Sequence, residues 1–103
     1  MNNEFRFRHL PPEHETGNHY FSGKIVITTE VNKTLTMVEI ANIVHYVREL
    51  AKANNGVDCL QVFQNKESEQ KLFFINQLDK DAIESGRYGE EDDYATLLYS
   101  HEY

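Results

Sequence analysis

Hydrophobic positions follow a period of two near both ends of the chain and a helical period in its middle. Phe5, Phe7 and His9 alternate with Arg6 and Arg8, which fits a short half-buried strand stopped by Pro11-Pro12. Residues 13–18 are polar, contain Gly17 and read as a surface loop. Residues 20–31 are rich in β-branched and aromatic side chains. They predict a strand with Ile25 and Ile27 on one face and Lys24, Val26 and Thr28 on the other.

Thr36 and Glu39 have the spacing of a capping box, in which each side chain satisfies a main-chain donor left free at a helix start. Met37, Ile40, Ala41, Val44, Val47 and Ala51 then recur at helical spacing, and Ile43 and Leu50 widen the stripe. Glu39, Asn42, Arg48, Glu49 and Lys52 mark the opposite side. A helix over 36–54 follows, with Gly56 just past its end.

Residues 57–64 and 71–77 form two β-rich runs joined by a polar connection, so they are expected to pair antiparallel. Asp79 can cap a short helical turn over 81–84, ended by Gly86. In the tail, Tyr94, Leu97, Leu98 and His101 match a helix stripe, whereas Ala95, Leu97 and Tyr99 alternate with Thr96, Leu98 and Ser100. The strand reading is preferred. The predicted fold is a single α+β domain over 1–103, a small and mostly antiparallel sheet with the 36–54 helix packed on one face. A chain of 103 residues buries roughly two-thirds of the surface its unfolded form exposes, enough for one modest core.

Charge changes this picture most. Residues 1–52 carry six basic and six acidic side chains, whereas residues 53–103 carry four basic and eleven acidic, so the second half holds the whole formal charge of −7. That field favours a protein partner with a basic surface over nucleic acid or an anionic membrane. Asp79, Asp81, Glu84, Glu90, Glu91, Asp92 and Asp93, with Tyr94 and Tyr99, form the expected partner-binding surface, because acids steer association and tyrosines supply contact area. Tyr88 and Tyr103 lie in the same acidic region.

Other chemistry is poorly supported. His9, His14 and His19, with Glu13 and Glu15, could gather a metal ion, but a spacing of five puts ligands on one face of neither a helix nor a strand. Asp79, Asp81 and Glu90 match three positions of a calcium loop, while Ile83 and Glu84 occupy positions that need an oxygen ligand and a glycine. Cys59 and His45 lack any pattern of an activated thiol. The alternation of Phe5 and Phe7 with Arg6 and Arg8 is too small for a nucleic-acid platform. No catalytic residue, metal or cofactor is assigned, and a non-enzymatic interaction or inhibitor protein is expected. The alternatives are a small enzyme or metal protein using the N-terminal histidines, and a homo-oligomer that pairs through a sheet edge. One cysteine, no apolar leader and no run near the roughly 20 apolar residues of a membrane helix point to the cytoplasm.

The ending Asp93-Tyr94-Ala95-Thr96-Leu97-Leu98-Tyr99-Ser100-His101-Glu102-Tyr103 resembles the close of a family of small plasmid- and phage-borne proteins of unknown function, which finish in Thr, an apolar run and Glu-Tyr. A β-rich segment with Thr28-Thr29, a helix and an aromatic-rich segment at 71–75 come in a similar order, so the resemblance covers most of the chain. It brings no catalytic residues. It implies a mobile-element setting, in which compact acidic proteins often inhibit host defence or nucleic-acid enzymes.

Overall fold

The structure, a computed structural model, describes residues 6–11 and 17–103. Phe5, His14 and most of the 13–18 loop lie outside the described residues. In chain order the elements are β1 (Phe7–Leu10), β2 (Lys24–Ile27), α1 (Thr29–Thr34), α2 (Met37–Asn54), β3 (Leu60–Asn65), β4 (Lys71–Asn76), α3 (Lys80–Glu84) and β5 (Tyr94–Tyr99), with 3-10 turns at Glu90–Asp92 and Ser100–Glu102. The strands form one sheet in the order β1-β3-β4-β5-β2. Every pair is antiparallel except β2 with β5. The class is α+β, as the periodicity predicts.

One face of this sheet is the core. The register aligns Phe7, Phe63, Leu72, Phe74, Ala95, Leu97 and Tyr99 on it, with Ile25 and Ile27 at its margin. Helix α2 contributes Ile40, Ile43, Val47 and Ala51 to the same cluster. Its start is the expected capping box: the Glu39 N–H donates to Thr36 Oγ1 at 3.1 Å and the Thr36 N–H donates to Glu39 Oε1 at 2.9 Å. Its end is a left-handed Asn55 followed by Gly56 at φ 113°, where a Cβ would stand 2.6 Å from Asn18 Cα. Gln61, fully buried, is satisfied by accepting from His9 Nε2 at 2.8 Å and donating to the Asp58 carbonyl at 3.0 Å.

Three expectations need correction. The strand over 20–31 is only Lys24–Ile27, because Thr28 caps a helix instead: its hydroxyl accepts from the Val31 N–H, and Val31 is fully buried as α1 turns back over β5. The buried stripe of α2 is rotated from the expected one, centring on Ile40, Ile43, Val47 and Ala51. Met37 and Ala41 are therefore exposed and Val44 is half-buried. Tyr99 is core, only 5% exposed, because strand alternation puts it on the face of Ala95 and Leu97.

Candidate protein-binding surfaces

The acidic segment forms a shoulder between β4 and β5. Asp79 caps α3 by accepting from the Ala82 N–H at 2.8 Å, so its carboxylate is committed to the fold. Asp81, Glu84, Glu91 and Asp92 are exposed. Asp81 accepts a long 3.5 Å bond from Asn18, and Asp92 accepts from the Gly89 N–H at 3.2 Å. Glu90 opens the turn before β5. Asp93 is half-buried, and its carbonyl and side chain lie so close to Gly23 that a Cβ there would clash.

Of the two tyrosines expected to make contact, neither stands free at this shoulder. Tyr94 is half-buried opposite Lys24, on the sheet face away from α2. Tyr99 is buried with its hydroxyl bonded to that of Thr34 and its ring stacked on His101. Tyr88 and Ile83 take their place: they are 49% and 39% exposed, and with Leu78, Gly89 and Asp93 they line a cleft of about 120 Å³. The sequence signal for this exchange is parity. Tyr99 shares the apolar register of β5, whereas Tyr88 sits between Gly86 and Gly89 with no periodic apolar neighbours.

His9 and His19 lie in different parts of the fold. His9 packs between Tyr46 and Phe63, with ring centroids 5.1 Å from each. His19 joins the Val57 main chain through two 2.9 Å hydrogen bonds. Among the described residues no three His, Cys, Asp or Glu side chains are grouped to hold a metal ion, and His14 lies outside them. Cys59 is exposed, and partial burial together with Asp58 pushes its thiol above the usual range, the wrong direction for a nucleophile. Arg6 and Arg8 do not form a paired basic platform: Arg6 donates from Nη2 to Glu39 at 2.8 Å and to the Thr34 carbonyl at 3.0 Å, while Arg8 is exposed and lines a hollow with Lys66.

A second surface lies at a sheet edge, the kind of place named in the homo-oligomer alternative but not located by the sequence. Strand β2 closes one side of the sheet, and beside it Ile25, Ile27, Met37, Ile40, Ala41, Val44, His45 and Arg48 line a groove of about 400 Å³. The rotation of α2 creates it by leaving Met37, Ala41 and Val44 along the flank that faces β2. The main-chain N–H groups of Lys24 and Thr28 donate to the carbonyls of Asp93 and Leu97 at 3.1 and 3.2 Å. In a parallel ladder alternate residues turn both main-chain groups toward the same neighbour, so Ile25 and Ile27 direct theirs to the open edge. Arg48 anchors the start of this strand through the carbonyls of Phe21 and Gly23.

Comparison of the chain with protein-family models, with curated proteins and with solved structures found no match. Among the described residues no helix is long and apolar enough to cross a membrane.

Proposed function

We propose that this chain is a small non-enzymatic interaction protein whose acidic shoulder docks on a basic surface of a protein partner and blocks it. One observation carries the reading: the exposed carboxylates of Asp81, Glu84, Glu91 and Asp92 flank exposed Tyr88 and Ile83 rather than a purely polar surface. Carboxylates raise the rate of encounter with a cationic surface, and a tyrosine beside an aliphatic side chain supplies the short-range contact that slows release. The resemblance of the chain's ending to mobile-element proteins agrees with inhibition of a nucleic-acid-binding protein, whose basic surface is the natural target of an anionic mimic.

The test is capture on the immobilised protein from extracts of the source cells, run beside the folded variants Glu84→Gln/Glu91→Gln/Asp92→Asn and Tyr88→Ala. The expected result is a basic protein retained by the wild type, released by salt, and lost with either variant. Retention of the same proteins by all three would contradict the shoulder as the binding surface.

A further inference from the structure

The two edges of the sheet are protected unequally. Strand β1 is closed off by Pro11, which discourages pairing with another strand and has no equivalent in β2. Strand β2 presents the sequence Lys-Ile-Val-Ile, with Val26 45% exposed and, beside an apolar groove, main-chain groups of Ile25 and Ile27 that bond to no main-chain group among the described residues. We propose that the occupant of this edge is a second copy of the same chain, paired antiparallel through β2 about a two-fold axis at Val26.

The register follows from the hydrogen-bonding parity. Outward-facing groups lie on Ile25 and Ile27, so an antiparallel two-fold joins Ile25 to Ile27 of the second copy and Ile27 to its Ile25, as two pairs that each exchange both bonds. Val26 then faces Val26 across the axis as a non-bonded pair, which covers the exposed valine. The next pair outward sets Lys24 opposite Thr28. Thr28 Oγ1 donates to Glu102 Oε1 at 2.9 Å, so that carboxylate stands beside the Lys24 ammonium of the other copy. Lys24 is exposed, and neither it nor Glu102 belongs to the ion pairs formed among the described residues. The two-fold repeats this complementary contact at both ends of the paired strands.

On the core side, Ile25 and Ile27 of each copy extend into one apolar layer, flanked by Met37 and Val44 of the two α2 helices. The dimer has a ten-stranded sheet and carries two acidic shoulders, so it would engage a multivalent basic partner at two points. This pairing stands apart from the partner-binding reading above, because it uses β2 and Glu102 and none of the carboxylates of the shoulder.

Sedimentation across a concentration series, with Cys59→Ser as the background, tests it. The parent should shift from monomer to dimer, Val26→Lys should remain monomeric and melt like the parent at concentrations where both are monomeric, and Lys24→Gln should weaken the dimer at least tenfold at low salt. Disulfide trapping fixes the register independently of any folding defect. Val26→Cys should cross-link to its own copy, since non-bonded partners stand about 4.5 Å apart at Cα. Lys24→Cys should not, because the two sites lie about 13 Å apart along the strands, four residues at the strand rise. A parent that stays monomeric at every concentration, or equal trapping of the two cysteine variants, would overturn the proposal.

Discussion

Arg48, on the middle of α2, donates from Nε to the main-chain carbonyl of Phe21 at 2.6 Å and from Nη2 to that of Gly23 at 2.8 Å. Phe21 needs this hold. It adopts φ 55°, a left-handed conformation that costs a non-glycine residue about 1–3 kcal/mol, and keeps its ring fully buried 4.8 Å from that of Phe74. The guanidinium thus fixes the approach to β2 against the helix, and with it the position of the open edge.

Arg48→Ala is expected to lower stability by about 2 kcal/mol, since it removes two charge-assisted bonds and leaves two carbonyls beside a half-buried gap. Thermal unfolding should show a midpoint about 10 °C lower. Arg48→Lys should recover only part of the loss, because an ammonium lacks the planar fork that reaches both carbonyls. An unchanged midpoint for the alanine variant would show that the strained turn is held by the Phe21 ring alone.

The helix start offers a second check. Thr36→Ala removes the acceptor for the Glu39 N–H and should cost about 1 kcal/mol, whereas Val47→Ala, in the fully buried stripe, should cost more, about 2–3 kcal/mol, through lost contact and the space left behind. Equal losses measured by urea unfolding would contradict the assignment of Val47 to the centre of the packed face.

Acid sensitivity should centre on Glu39. Its hydrogen bonds from Arg6 hold its carboxyl below the usual carboxylate range against the opposing effect of burial. A depressed value means that the folded state favours the ionised form, so the contribution is complete above the unfolded value of about 4.3 and is lost as pH falls through the lower folded value. The pair is partly exposed, with Arg6 38% accessible, which limits its worth to about 1 kcal/mol. Glu39→Gln should be less stable than wild type by that amount at pH 7, and the two should converge at low pH. A difference that persists unchanged to pH 2 would rule out ionisation as its source.

How far these features are visible in the amino-acid order depends on the range of the interactions that set them. Thr36 with Glu39 and Asp79 with Ala82 are local pairs, and both caps are where their spacing puts them. The strands β3, β4 and β5 follow from alternation. Helix α1 does not, because Thr29 and Val31 have strand propensity and turn helical only through burial of Val31 and the Thr28 cap. The parallel partnership of β2 with β5 joins residues about seventy positions apart and has no local signature. At the candidate site the carboxylates of Asp81, Glu84, Glu91 and Asp92 could be read directly. The tyrosine that accompanies them could not be chosen until strand parity removed Tyr99, and the groove beside β2 depends on a rotation of α2 that its broad apolar stripe leaves open.

In the proposed docking, charge at the shoulder governs encounter while the ring of Tyr88 governs release. With the captured basic partner on a sensor surface, association and dissociation rates should be measured from low to physiological salt for the wild type, Glu84→Gln/Glu91→Gln/Asp92→Asn and Tyr88→Ala. The account predicts that the amide variant associates at least tenfold more slowly at low salt, with a flattened salt dependence and near-normal release, and that Tyr88→Ala associates normally but dissociates about tenfold faster. Association of the folded amide variant at the wild-type rate at low salt would contradict it and leave these carboxylates to solubility alone.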